Sequence, residues 1–473
     1  MNKLPSTKTI HNDYFEDLND FLNRKHKIIK NNGSCMSTPP SVLSVNNTRR
    51  IVAIGDIHGD FNALLIALYK AKVIDLKGHW NGGDTKVIQV GDLLDKGGRG
   101  VPEDEGKDCK DDSEWRIILF LEYLNKEAKK DDGAVFILIG NHEIMNFRGD
   151  MRYTTSATMA YFGGLKNRTE IFKRGGIISQ KIACMTNTIM RLGDWVFVHA
   201  GITADIMKHY DSLEDINDDV RNFILNKLDI DETANKKSRE YKLHKLIGSS
   251  DGVIWTRLYG SDVDNDTCKS LNKTLDLITG ESGGGLVVGH TVQEDISGNC
   301  NGRLFQIDRG MSSGFGLKDK IDERIDILEI INGVPSPYKM NIDDVKVELN
   351  KRGLTDKGKD TELKSLLDEH LKNNYIFIFG KLLDIVKNLL NRKLDLVDST
   401  LLKKSGFAQK NDNLILDPST RDNLEGYILQ ITTDELKLLD NKLKYLRIPL
   451  NWNMIKTDED IPKYSISAYF KCN

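Results

Sequence analysis

"VAIGDIHGDFNALLIALYKA", residues 52–71, decides the fold. A run of apolar residues stops at Gly55, presents Asp56 and His58, turns through Gly59 and continues with helical spacing. A short buried strand that passes through a glycine turn into a helix is the repeating unit of an α/β sheet. A carboxylate and an imidazole two positions apart at the strand end are not needed to build a core, so this stretch poses a functional question as well as a structural one.

Working outward, the pattern recurs in "KVIQVGDLLD" (86–95), "AVFILIGNHE" (134–143), "WVFVHAG" (195–201) and "LVVGHT" (286–291). Short apolar strands alternating with helical stretches predict an α/β domain whose sheet is buried on both faces. In such sheets ligands gather at the carboxyl ends of the strands. Each of the five strand ends carries a group suited to a metal ion: Asp56 and His58, Asp92, Asn141 beside His142, His199, and His290. A mixed set of imidazole, carboxylate and amide oxygen suits manganese, iron or zinc and is too rich in nitrogen for calcium. Six ligands exceed the need of one catalytic ion but suit two ions sharing a bridging carboxylate. A single buried histidine is more often a satisfied core residue; the fivefold repetition argues against that reading here.

Composition narrows the class. The chain has 473 residues, 39% apolar and 29% charged, with a net charge of −3. Its length predicts more than one domain, and its charge argues against a general nucleic-acid coat or an anionic-membrane binder. The six cysteines are scattered without a CxxC pair, so neither a zinc ribbon nor a disulfide framework is expected, and a reducing compartment fits. The N-terminus lacks an apolar signal core, and no run approaches the roughly 18 apolar residues of a membrane span. A soluble, non-secreted protein of the cytoplasm or nucleus is expected.

Residues 1–48 end in "NNGSCMSTPPSVLSVNNT" and read as a polar tail or linker. Residues 97–114 read as an acidic loop beside the site, and 205–250 as charged helices able to cap it.

"GDIHG" (55–59), "GDLLDKG" (91–97), "GNHE" (140–143), "HAG" (199–201) and "GH" (289–290) together resemble the five signatures of the calcineurin-like metallophosphoesterases, in the phosphoprotein-phosphatase branch. "GNHEIMNFRGDMRYTT" (140–155), "VIWTRLYG" (253–260) and "LVVGHTVQEDISGNCNGRLFQIDRGMSSGFG" (286–316) resemble the Shewanella-like protein phosphatases. The resemblance implies a β-sandwich flanked by helices over about residues 49–330, with two divalent ions at its rim. It implies that Asp56 and His58 hold the first ion, that Asp92 bridges, and that Asn141, His199 and His290 hold the second. It further implies in-line attack of a bridging hydroxide on a phosphomonoester of a phosphoprotein, with His142 as general acid oriented by Asp95. Glu143 is expected to support its neighbours.

One position departs from that pattern. Where the family has an arginine that grips phosphate, this chain has Lys96, which lacks the planar two-pronged fork. Arg99 and Arg257 are further candidates for the phosphate, with Asn141 beside them. Trp255 is expected in the core, and Arg152 and Tyr153 are read as a packed pair on a helix face.

Beyond residue 325 the character changes. Residues 338–372, "MNIDDVKVELNKRGLTDKGKDTELKSLLDEHL" within them, resemble the helix-loop-helix SAP motif and imply docking of DNA or protein. Residues 374–473 resemble gamma-glutamylcyclotransferase-like domains, but Leu443 stands at the position of that family's acid, so a non-catalytic α+β domain is expected. An active protein phosphatase, a hydrolase of dinucleotide polyphosphates or other small phosphoesters, and a metal-retaining binding scaffold all remain compatible with these residues.

Overall fold

The strands that end in candidate ligands assemble into two sheets packed face to face. The computed structural model describes residues 18–23, 28–30, 33–44, 49–75, 78–99, 110–260, 262–280, 284–315 and 324–338, with short pieces beyond them. The strands are β1 (Val42–Leu43), β2 (Arg50–Ile54), β3 (Lys86–Gln89), β4 (Ala134–Ile137), β5 (Ile189–Leu192), β6 (Trp195–Val198), β7 (Leu286–Val288), β8 (Ser297–Asn299), β9 (Leu304–Gln306), β10 (Ile327–Ile331) and β11 (Val334–Tyr338). One sheet runs β11-β10-β2-β3-β4, the other β1-β5-β6-β7-β9-β8.

Alternation along each strand explains the layering. Side chains of period two divide between the faces of a sheet. Ile51, Ala53, Ile88, Phe136, Met190, Phe197, Val287, Phe305 and Leu328 form the layer between the sheets. Val52, Ile54, Val87, Val135, Ile137, Val196, Val198 and Leu286 join the helix-side core instead. Both faces of the central strands are therefore buried, which is why they read as unbroken apolar runs. β2, β3 and β4 are parallel, so their carboxyl ends share one rim. β6, β7 and β9 are parallel as well.

The helix Phe61–Lys70 follows the opening strand as expected, and Asp60 caps it by accepting the Ala63 N–H at 3.1 Å.

Four expectations need correction. Part of the segment read as a polar tail is built into the fold: β1 pairs in parallel with β5, and Leu18 and Phe21 lie in the helix-side core. Burial of these few apolar residues was diluted by the polar sequence around them. Residues 205–250 are a buttress rather than a cap. Ile216, Val220 and Phe223 on the helix Leu213–Ile224 are buried, and Asn217 Oδ1 accepts the N–H groups of Thr188 and Ile189 at the start of β5. The four cysteines among the described residues are paired: Cys35 with Cys184 across a sequence separation of 149, and Cys268 with Cys300 across 32. Such separations leave no local spacing signal, and the pairing removes the thiol-based argument for a reducing compartment. "GDMRY" lies in a loop, not on a helix face.

Among the described residues, no helix is long and apolar enough to cross a membrane. Most of the acidic loop, residues 100–109, and nearly all of the SAP-like and cyclotransferase-like segments lie outside the described residues. Leu349 and Leu363, from the two expected SAP-like helices, are buried.

Candidate active site

The rim of the parallel strands places the candidate residues through backbone that ordinary side chains rarely adopt. His58, Asp92, Asp95 and His290 have φ of 44°, 55°, 70° and 67°. Left-handed backbone at non-glycine residues is costly and clusters at functional sites. Two glycines make room for the carboxylates: a Cβ at Gly140 would lie 2.1 Å from Asp92 Oδ1, and one at Gly289 would lie 2.2 Å from Asp56 Oδ1.

The side chains converge on Asp92. Its Oδ2 lies 3.4 Å from His199 Nε2, 3.7 Å from His58 Nε2 and 3.9 Å from His142 Nε2. Asp56 Oδ2 is 3.9 Å from His58 Nε2 and accepts the His290 backbone N–H at 3.0 Å. His199 Nε2 is 2.9 Å from Asn141 Oδ1, and its Nδ1 is 3.0 Å from the Val90 carbonyl. Two sets, His58 with Asp92 and His142, and Asp92 with His199 and His290, bring their ligand atoms within 4.8 Å of one another. All the candidate ligands are buried.

These residues fit divalent cations. Asp56 Oδ1 is buried with no hydrogen-bond donor, which is costly for a carboxylate oxygen unless a cation lies against it. The Val90 carbonyl can take only a proton from His199 Nδ1, which turns a lone pair at Nε2 toward the oxygens of Asn141 and Asp92. Burial, followed by the charges of Asp308 and Asp92, pushes the Asp56 carboxyl well above its usual range. Burial also resists ionisation of Asp92, but His199 and His142 outweigh it and hold that carboxyl well below its usual range.

His142 has a separate setting. Its Nδ1 lies 2.9 Å from Asp95 Oδ2, and its backbone N–H donates to Asp92 Oδ1 at 3.0 Å. The ring packs edge-on against Tyr153 and His58, with centroids at 4.9 and 4.8 Å. Burial pushes its pKa down, but Asp92 and then Asp95 outweigh it and hold His142 above its ordinary value. Glu143 supports both neighbouring loops: its carboxylate accepts the N–H groups of Asp92, Leu93, Leu94 and Gly140. Burial and the charge of Asp92 push Glu143 up to about 7.

The cluster floors a cleft of about 880 Å³. Arg99, Arg148, Arg152 and Arg257 line it, with Tyr153, Trp255 and Phe315 as aromatic walls. Trp255 is half-buried: it packs against the helix-side core as expected and also walls the cleft, with its Nε1–H donating to the Ile247 carbonyl at 3.1 Å. Lys96 does not line the cleft, and its charge acts on Asp60. Arg99 stands in the cleft instead, its Nη1 donating to the carbonyls of Asp95 and Gly97 at 2.8 and 2.9 Å and its Nη2 lying 2.6 Å from His58 Nδ1. Arg257 donates through Nη1 to the His290 carbonyl at 2.8 Å. Arg152 is exposed and paired with Asp150. A larger hollow of about 1130 Å³, lined by Met36, Pro40, Lys126 and Phe136, contains none of the candidate residues.

The sequence reading missed Asp308, whose carboxyl burial pushes up to about 6. Its signal was present, since "LFQIDRG" (304–310) is another apolar strand ending in an acid. Arg148, Phe315, Asn146, Glu114 and Arg168 carried no comparable signal.

Two packed sheets with histidine, aspartate and asparagine gathered at their parallel rim define a metallophosphoesterase. The chain belongs to the calcineurin-like phosphoesterase family, whose family model matches residues 49–293, more than half of the chain. It is a hydrolase of phosphate esters. The chain is 30% identical to Shewanella-like protein phosphatase 2 of Arabidopsis thaliana over 340 residues, covering 62% of this chain and 80% of the relative. It is 29% identical to Shewanella-like protein phosphatase 1 of Plasmodium berghei over 306 residues, covering 63% and 73%. A cold-active protein-tyrosine phosphatase of a psychrophilic Shewanella species aligns with a TM-score of 0.48 at 22% identity, covering 66% of this chain and 86% of that one.

Proposed function

We propose that the protein is a phosphoprotein phosphatase that uses two divalent cations, manganese, iron or zinc, held by Asp56, His58, Asp92, Asn141, His199 and His290. Bound dications supply Lewis acidity, generating a nucleophile at neutral pH and neutralising phosphoryl charge. The remaining work falls to the chain's own groups. Arg99, stacked 4.6 Å from the Phe315 ring centroid, and Arg257 bind the phosphate, with Asn141 at the floor. His142 donates the proton from Nε2 to the leaving oxygen, and Asp95 holds the Nδ1 proton and so fixes the tautomer. Tyr153 keeps the His142 ring from turning.

The observation that carries this reading is the pairing of His142 Nδ1 with the fully buried Asp95 at 2.9 Å while Nε2 faces the Asp92 cluster. A binding scaffold has no need of an oriented acid beside its ligands. The test is metal analysis of the purified protein together with a panel of phosphopeptides and nucleotide polyphosphates. Phosphopeptide hydrolysis that collapses in Asp92→Asn and His142→Asn supports the proposal. Turnover of nucleotide polyphosphates alone would transfer the function to small phosphoesters.

A further inference from the structure

We propose that Arg168 is a positioning residue for His142, acting through Asn146 and Glu114 at a distance from the cleft. The inference rests on the reading of His142 as the acid. Arg168 stands on the helix Leu165–Phe172 and is fully buried, 4.8 Å from the Phe162 ring centroid and 4.4 Å from that of Phe172. Its Nη1 donates to Glu114 Oε2 at 2.7 Å and its Nη2 to Asn146 Oδ1 at 2.8 Å, while Nε finds no acceptor; Nη2 also lies 3.9 Å from Asp95 Oδ1, so its charge bears directly on that carboxylate as well. A buried ion pair is weak evidence for stability, because desolvating both partners offsets their attraction. Its value here is orientation.

A guanidinium has donors only, so the Asn146 atom facing it must be the carbonyl oxygen. That fixes the amide the other way round at its far side. Asn146 Nδ2 donates to Asp95 Oδ2 and to the His142 carbonyl, both at 2.9 Å. Glu114, held by Arg168, uses its other oxygen to accept the Asp95 N–H at 2.9 Å. Thr154 donates to Asp95 Oδ1 at 2.9 Å. The Asp95 carboxylate is therefore gripped on both oxygens and at its own backbone, and it has one remaining task, to receive His142 Nδ1. Without Arg168 the Asn146 amide can flip, setting its oxygen against Asp95 Oδ2. The repulsion turns the carboxylate and tilts the imidazole.

Positioning of an acid has a signature that loss of fold lacks. Protonation matters most when the leaving group is poor, so phenyl phosphate needs the acid more than p-nitrophenyl phosphate, a substrate of nearly the same shape. We expect Arg168→Met to lower kcat on phenyl phosphate at least tenfold more than on p-nitrophenyl phosphate, with KM little changed. Arg168→Lys, which can hold one partner but not both, should recover only part of the difference. Because Arg168→Met leaves the buried Glu114 without its counter-charge, the same comparison is made in Glu114→Gln/Arg168→Met and in Asn146→Ala, with folding verified by circular dichroism. Folded variants that lose the same factor on both substrates overturn the proposal. His142→Asn separates the levels: an even loss there overturns the acid assignment and this inference with it, whereas a split in His142→Asn that is absent from the Arg168 and Asn146 variants overturns the positioning role alone.

Discussion

The carboxylate of Glu143 accepts the backbone N–H of Asp92 at 3.0 Å, so the residue two positions after one candidate ligand, Asn141, holds the backbone of another. Three further N–H groups, of Leu93, Leu94 and Gly140, converge on the same carboxylate. Glu143→Gln puts an amide NH₂ where two of these donors point. Each buried donor left unsatisfied costs about 1–3 kcal/mol. A loss of at least about 2 kcal/mol in urea unfolding is expected, and an unchanged midpoint would contradict this account.

On the proposed reading, Arg99 takes the phosphate contact that the family motif gives to the position of Lys96. Lys96→Ala should leave KM for a phosphopeptide within about twofold, because its charge faces Asp60. Arg99→Ala and Arg257→Ala should each raise KM by about tenfold or more, since a hydrogen bond to a charged group contributes about 1.5–3 kcal/mol. Steady-state kinetics of the three variants decides the assignment, and a large effect at Lys96 alone would restore the motif's usual reading.

Asp60 links the helix start to the site loop. Its carboxylate accepts the Ala63 N–H and both the N–H and hydroxyl of Ser313. Burial raises its pKa, but Lys96 and Ser313 prevail and hold it below the usual carboxylate range. A carboxyl depressed in the folded state stabilises fully above its unfolded value of about 3.9, and that stability fades as pH falls through the folded value. Asparagine still caps the helix, but its NH₂ faces the Ser313 N–H, so the stability gap between the native chain and Asp60→Asn should be full at neutral pH, about 1–3 kcal/mol for the unsatisfied donor, and should shrink in acid. A gap that widens in acid would refute the sign.

Chelation tests the donor set without an assay of activity. A cation that binds only the folded chain adds about 2.7 kcal/mol at a hundred times its dissociation constant. Returning manganese to the chelator-treated protein should raise Tm in the native chain and have much less effect in Asp92→Asn. Equal responses would show that the ion binds elsewhere.

The Cys35–Cys184 bridge closes a long loop, for which about 2–5 kcal/mol is typical. Cys35→Ser should lose stability in that range, with the loss read by urea unfolding against the native chain.

The strand ends were legible because each leaves a local mark: an apolar run, a glycine or, before His199, a valine, then the ligand. Asp56, His58, Asp92, Asn141, His199 and His290 could be read on that basis, and the structure gathers them. Arg168, Glu114 and Asn146 could not, because they sit within helices among ordinary apolar spacing and acquire meaning only through Asp95 and each other, 19 to 54 positions apart. Lys96 misled because a motif fixes a position in the chain and not the direction of a side chain. The disulfides and β1 were hidden for a similar reason, since their partners come from distant parts of the chain.

The short strand β1 gives the family boundary a practical consequence. A polypeptide begun at Arg49, where the family match starts, would lack Val42 and Leu43 and leave the backbone edge at Arg191 and Leu192 bare. It would also strand Cys184 as a lone thiol. An unprotected sheet edge recruits other edges. The stretch that the family model matches and the stretch that folds as a unit are therefore different lengths of this chain, and soluble recombinant material should depend on keeping the polar-looking segment before Arg49.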